Sequence, residues 1–227
     1  MRIAEIFFSV QGEGALVGTP SVFVRTSGCN LRCVWCDTPY ASWRPEGPEW
    51  PLPAILSDVL RYGCRHVVVT GGEPMIAPEM VPLTQALARA GRHITIETAG
   101  TVYAPVVCHL MSISPKLANS TPGEREAGAW AAQHERLRIQ PEILKRLMRA
   151  FHYQLKFVVT TPEDLPEIKA LLERIAADPA DVILMPEGTE AAVLRERSLW
   201  LVETCKQEGF RYSPRLHIDL YGNRRGV

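Results

Sequence analysis

The sequence has no net charge to spend on partners: 25 lysines and arginines are balanced by 25 aspartates and glutamates. Nothing in that balance points to an electrostatic grip on nucleic acid or on an acidic membrane, and neither is expected as a partner. No apolar run approaches the roughly 18 residues that a membrane span requires. The start, Met1-Arg2-Ile3-Ala4-Glu5, does not read as a basic segment followed by an apolar core, because Glu5 and then Gln11-Gly12-Glu13 interrupt it. The expected location is therefore cytoplasmic. Low-complexity tracts are absent, and so are internal repeats other than an alternation of strands and helices. One domain over residues 1–227 is expected, a length that can bury a large core.

A fourth clustered cysteine is also missing, and that absence is informative. Cys29, Cys33 and Cys36 lie in one short segment, Gly28-Cys29-Asn30-Leu31-Arg32-Cys33-Val34-Trp35-Cys36-Asp37-Thr38, at C-x3-C-x2-C spacing. Cys64, Cys108 and Cys205 are scattered on or beside predicted strands and helices, where a cysteine usually serves as a small buried side chain. In a reducing compartment, clustered thiols favour metal or redox chemistry over disulfides. Structural zinc normally takes four protein ligands, as does an electron-transfer 4Fe-4S cluster. Three sulfurs suit three corners of an iron-sulfur cube and leave one iron open for a substrate or cofactor.

The rest of the chain alternates. Residues 3–10, 21–26, 66–70, 93–97, 106–113, 153–159 and 182–185 read as strands; 66–70 is a continuous β-branched run of the kind covered on both faces. Helices are predicted over 55–62, 78–90, 129–150 with a break at Pro141, 161–177 with Thr161 as cap and Pro162 at the first position, and 190–208 before Gly209. Residues 41–53 and 118–128 read as irregular. Such alternation argues for a parallel sheet. Polar or glycine-bearing loops recur after strand upon strand, at the edge where α/β proteins build their sites.

The cysteine spacing, with Trp35 just before the last cysteine, resembles the signature of the radical S-adenosylmethionine superfamily. That resemblance implies an α/β fold, a partial parallel (β/α)6 barrel, with a 4Fe-4S cluster on Cys29, Cys33 and Cys36. S-adenosylmethionine would chelate the open iron and yield a 5′-deoxyadenosyl radical, so no catalytic side chain is assigned. Residue by residue, Gly72 and Glu73 of Thr70-Gly71-Gly72-Glu73-Pro74 match the motif that contacts the amino group of S-adenosylmethionine. Trp35, Cys36 and Asp37 match the neighbours of its adenine. Ser114, Pro115 and Lys116, and Met185, Pro186, Glu187 and Gly188, match loops around its ribose and adenine. Standing alone, each of these loops would read as a turn.

Within that superfamily the chain resembles the 7-carboxy-7-deazaguanine synthase family, through Gln11-Gly12-Glu13-Gly14, Arg25, Cys36-Asp37-Thr38 and the segment Leu220-Tyr221-Gly222-Asn223-Arg224-Arg225-Gly226. This implies ring contraction of 6-carboxy-5,6,7,8-tetrahydropterin with loss of ammonia, in the pathway to queuosine. S-adenosylmethionine would be regenerated at each turnover and Mg2+ would assist. Val10, Gln11, Gly12, Glu13, Arg25 and Thr70 would face the substrate, and Thr38 would hold Mg2+. The residue types suit these roles. Amide and carboxylate groups can pair with a pterin edge, a guanidinium forks onto a carboxylate, and a hydroxyl oxygen is an acceptable ligand to a hard cation. Lys116 could serve the substrate instead of the cofactor, and the Gly226-Val227 tail could bring its carboxylate to the substrate. Ala99 stands where several relatives carry a polar residue. By the same resemblance a flavodoxin or ferredoxin would be the reductant, and the chain a homodimer. Two rivals share the cysteine loop: an activase that takes hydrogen from a glycine of a partner protein, and a metal-bound scaffold completed by His66 or Cys64.

Overall fold

In the computed structural model, which describes all 227 residues, the elements follow the alternation closely. Strand β1 (Ile3–Val10) is followed by β2 (Pro20–Thr26), α1 (Leu52–Leu60), β3 (His66–Gly71), α2 (Met80–Arg89), β4 (His93–Thr98) and β5 (Leu110–Ile113). Then come α3 (Glu124–Ala127), α4 (Ala129–Leu137), α5 (Pro141–Ala150), β6 (Tyr153–Val159), α6 (Leu165–Ile175), β7 (Val182–Pro186), α7 (Ala191–Glu208), β8 (Arg211–Tyr212) and α8 (Leu216–Tyr221). All eight strands form one sheet in the order of the chain. From β2 to β8 every pairing is parallel, as the alternation predicts.

Four local readings need correction. The first strand is antiparallel to β2, with Phe7 opposite Phe23, because the chain returns through a short turn with no crossover helix. The strand expected over 106–113 starts only at Leu110; the chain before it turns tightly, with Val106 N donating to Ala104 O at 2.9 Å. The irregular stretch 118–128 contains a 3-10 turn at Ala118–Ser120 and the short α3. Finally, β8 and α8 add a last strand and helix, because Arg211-Tyr212 is too short a pattern to announce itself. Other boundaries follow their local chemistry. Pro141 opens α5 instead of merely breaking a helix, since its missing N–H costs nothing at a helix start. Asp164 Oδ2 accepts from the backbone N–H of Thr160 at 2.7 Å and of Thr161 at 3.2 Å, which ties off the turn into α6.

Side-chain parity along the strands divides the molecule into a dry layer and a wet one. Val22, Val24, Val67, Val69, Ile94, Ile96, Leu155, Phe157 and Leu184 point outward and share one core with Ile55, Leu83, Leu87, Leu147, Leu171 and Leu201 of the surrounding helices. Burying each such side chain stabilises the fold by about 1.5–3 kcal/mol. The intervening positions point inward, and they are different in kind: Arg25, Thr70, Glu97, Ser112 and Lys156 line a central cavity. Phe7, Phe23 and Val68 make a small apolar floor there, with the two rings stacked 5.0 Å apart.

The sheet does not close on itself, since β1 and β8 do not pair. The gap is stitched beyond the strand ends. Leu216 N donates to Gly12 O at 2.9 Å, and Gly14 N donates to Ser213 Oγ at 2.7 Å. Ala15 N reaches across to Gln154 Oε1 of β6 at 2.9 Å. The partial barrel is thus curled until the loop after β1 touches β6 and the segment after β8. No helix is long and apolar enough to cross a membrane.

Candidate active site

The cysteine loop leaves β2 at its C-terminal end and has almost no regular structure of its own. Its ends are fixed by backbone contacts. Gly28 N donates to Ala41 O at 2.8 Å, and Gly28 O accepts from Glu73 N at 2.9 Å. Gly72 is where this contact is tightest: a Cβ built there would stand 2.0 Å from Gly28 O and 2.6 Å from Ala41 O, so only glycine allows the loop after β3 to lie against the cysteine loop.

Cys29, Cys33 and Cys36 line one cavity of about 710 Å³, and none is in a disulfide. Burial pushes the Cys29 and Cys33 thiols up to about 12, with neighbouring thiols adding to the effect. Such sulfurs stay protonated unless a cationic group takes up their charge. No trio of histidine, cysteine or acidic side chains is close enough to hold a single metal ion. Three soft sulfurs on the wall of one cavity are the donor set that suits an iron-sulfur cluster with one iron left open. His66 and Cys64, the fourth ligands that a closed scaffold would need, lie at the opposite end of the sheet, where His66 pairs in register with Ser21 at the start of β2.

The same cavity holds a buried charge cluster. Glu13 is held between Lys156 and Arg215, with Arg215 Nε 3.2 Å from Glu13 Oε1. Arg215 also donates to Asp37, Nη2 to Oδ2 at 2.5 Å, and to Gly188 O at 2.5 Å. Burial alone would raise the Glu13 carboxyl, but Lys156, Arg215 and His217 hold it well below the usual carboxylate range. Burial likewise opposes the Lys156 and Arg215 cations, and the facing Glu13 keeps both charged, with help from Glu97 and Asp37 respectively. Gln11 Nε2 donates to Glu97 Oε1 at 3.0 Å, so the amide is oriented before any ligand arrives. Arg25 gives its Nε to Glu5 Oε1 at 2.6 Å. Lys116 is different: burial depresses its ammonium, and its Nζ has only Ser114 for a partner, at 2.7 Å to Oγ and 2.9 Å to O.

Most of the expected residues reach this cavity. Val10, Gln11, Gly12, Glu13, Arg25 and Thr70 line it, as do Trp35, Asp37, Thr38, Gly72, Ser114, Lys116, Met185 and Glu187. Ala99 and Val227 also line it. Four expected cofactor contacts do not. Glu73 is fully buried behind the wall, where its carboxylate accepts from Thr98 Oγ1 at 2.8 Å, Ala99 N at 2.8 Å and Met75 N at 3.0 Å. Pro115, Pro186 and Gly188 stay out of the lining, although Gly188 contributes its carbonyl to Arg215. Glu187 reaches the cavity already paired with Arg197.

Lys156, Glu97, Arg215 and His217 are the functional candidates that sequence reasoning passes over. Parity could have found the first two, since Lys156 and Glu97 are charged residues on the face of their strands opposite the apolar Leu155, Phe157, Ile94 and Ile96. Nothing local marks Arg215 or His217. Gly12 does hint at His217, because a Cβ on Gly12 would stand 1.9 Å from its Nδ1.

The sequence model of the Radical SAM superfamily matches residues 23–115, which run from β2 through the cysteine loop to the serine-proline pair after β5. Over its whole length the chain is 45% identical to the 7-carboxy-7-deazaguanine synthase of Rhodopirellula baltica, covering 89% of that protein. The chain belongs to the 7-carboxy-7-deazaguanine synthase family. A second family member, from Halobacterium salinarum, is 46% identical over 98% of this chain and 91% of its own. The crystal structure of QueE from Escherichia coli superposes with a TM-score of 0.70 at 28% identity, covering 95% of this chain and 94% of that one. Membership of the synthase family makes this chain an enzyme of the radical SAM type, with a 4Fe-4S cluster and S-adenosylmethionine as its cofactors. The activase and scaffold alternatives fall with that match.

Proposed function

We propose that this chain contracts 6-carboxy-5,6,7,8-tetrahydropterin to 7-carboxy-7-deazaguanine with loss of ammonia, using the residues described above. One observation carries the assignment of roles: a single cavity joins a three-cysteine wall to a set of oriented hydrogen-bonding groups, and its volume suits a small cofactor and substrate together. When bound, the cluster and S-adenosylmethionine supply a carbon radical able to remove hydrogen from an unactivated C–H bond, chemistry beyond any side chain. The chain's own residues bind, orient and shield. Gln11 and Glu13, held by Glu97, Lys156 and Arg215, meet the donor and acceptor edge of the pterin. Arg25, whose Nε is anchored on Glu5, offers its remaining N–H groups to the substrate carboxylate.

Thr38 lines the cavity two residues from Cys36 and is our candidate ligand for Mg2+. Trp35, with Nε1 donated to Asn119 O at 3.0 Å, and the Ser114, Lys116 and Met185 loops would border S-adenosylmethionine. A flavodoxin or ferredoxin would supply the electron, and the working unit would be a cytoplasmic homodimer. The test is anaerobic reconstitution with iron and sulfide, then incubation with a reductant, S-adenosylmethionine, Mg2+ and the carboxypterin. A deazaguanine product by mass and ultraviolet absorbance is expected. Cleavage of S-adenosylmethionine without that product would overturn the substrate assignment.

A further inference from the structure

We propose that α4, with the 3-10 turn at Ala118–Ser120, is a clamp that sets the position of Cys33, and that His134 is its positioning residue. This rests on the cluster assignment above. The loop from Cys29 to Cys36 has one weak internal backbone bond, Cys36 N to Cys33 O at 3.3 Å, so its shape must be imposed from outside. The two peptide N–H groups on either side of Cys33 are both held by the clamp. Arg32 N donates to His134 Nδ1 at 3.1 Å, and Val34 N donates to Ser120 O at 2.9 Å.

His134 and Ser120 are both fully buried, and their hydrogens can be placed by elimination. Because Nδ1 accepts from a peptide N–H, the ring proton must sit on Nε2, which then donates to Ser120 Oγ at 2.9 Å. The serine hydroxyl in turn donates to Leu117 O at 2.6 Å. The chain of bonds runs in one direction and leaves no group unpaired. A second contact backs it up: the Arg32 guanidinium lies 3.7 Å from the Trp130 ring centre and donates to Cys29 O at 2.8 Å and Leu31 O at 2.7 Å. Gln133 Nε2 reaches Asn30 O at 3.4 Å. Three residues of one helix thus address two positions of the cysteine loop, Asn30 and Arg32.

A buried histidine is ordinarily only a satisfied packing residue. Here its acceptor is spent on the peptide next to a cluster ligand and not on its own helix or the apolar core. Groups that orient ligands in this way typically change metal retention by 10–100-fold when removed.

The test compares His134→Leu, which removes the acceptor, with His134→Asn, which keeps one near the Nδ1 position. The reconstituted holoproteins are followed anaerobically for iron per chain, bleaching of cluster absorbance by a chelator, and the electron paramagnetic resonance of the reduced cluster with and without S-adenosylmethionine. Far-ultraviolet circular dichroism checks the fold. We expect His134→Leu to bleach about tenfold faster with a native dichroism spectrum and a broadened resonance, and His134→Asn to recover most of the difference. Unchanged bleaching and resonance in a folded His134→Leu would overturn the clamp. If that variant does not fold, Trp130→Leu, which removes only the half-exposed ring over Arg32, takes its place. Faster bleaching there supports the clamp, and wild-type bleaching overturns it. A wild-type chain that takes up no iron-sulfur cluster would overturn the cluster assignment itself, and the clamp with it.

Discussion

Replacing Gly72 with alanine should damage the molecule far more than one methyl group suggests. The added Cβ would lie 2.0 Å from Gly28 O and 2.6 Å from Ala41 O, both backbone atoms with no side-chain rotation to relieve them. Carbon-oxygen contacts become comfortable near ~3.3 Å, so the Gly28 carbonyl must recede by roughly 1.3 Å. That shift breaks its 2.9 Å bond from Glu73 N and strains the 2.8 Å bond from Gly28 N to Ala41 O. Overpacking costs about 1–3 kcal/mol and each hydrogen bond about 1 kcal/mol, giving a loss of about 4 kcal/mol. For a chain of this size that lowers Tm by roughly 8–16 °C. The control is Gly18→Ala, where φ is +84° but nothing lies within 4 Å of the new Cβ. Backbone strain alone should cost it about 1–2 kcal/mol. Thermal melts of both variants, with iron per chain measured after reconstitution, decide the matter. Were Gly72→Ala to melt no lower than Gly18→Ala and load iron normally, the close approach would not be a constraint.

Arg215→Met removes the cation that Glu13 and Asp37 share and leaves Asp37 unpaired; urea titration should show a loss of about 3 kcal/mol and a weakened affinity for the carboxypterin. Arg25→Lys keeps the charge but loses the fork, so KM for the carboxypterin should rise about tenfold while kcat changes much less; a fall confined to kcat would contradict the binding role. The stability of the protein should also depend on His134. Burial, with Arg138 and Lys116 adding to it and Glu135 opposing, lowers its imidazole to about 4, against about 6.5 in an unfolded chain. The unfolded state therefore takes the proton first, so this contribution is complete above pH 6.5 and is lost as pH falls towards 4. Urea midpoints at pH 7.5, 6.0 and 5.0 should decline in the wild type and decline less in His134→Asn; parallel declines would refute the assignment.

The parts of this protein that were legible in its sequence are those governed by local rules. The spacing of Cys29, Cys33 and Cys36 names its chemistry because three ligands within one loop need no tertiary context. The strand at His66–Gly71 announces itself as a β-branched run because both of its faces are covered. Direction was not legible: residues 3–10 have the same β-forming pattern whether they pair parallel or antiparallel. The glycine-rich motif likewise gave no sign that Thr98 and Ala99 donate to the Glu73 carboxylate, because those partners come from the next strand and its loop. Arg215 and His134 were illegible for another reason. Each acts on a residue more than a hundred positions away, Arg215 on Glu13 and Asp37 and His134 on Arg32, and no periodicity encodes such a pairing.

The stitched gap in the sheet imposes an order on manufacture. Gly14 waits for Ser213, 199 residues later, and Glu13 waits for Arg215, 202 residues later. A ribosome releases the cysteine loop long before these partners, and chains emerge from the N-terminal side first. Until residue 215 emerges, Glu13 lacks one of the cations that keep it charged in the interior, and the far wall of the cavity is unfinished. A transcript cut short before residue 213 would therefore yield a product that carries all three cluster cysteines but not a complete pocket. Such a fragment should be a substrate for proteolysis before it is ever a source of stray radicals.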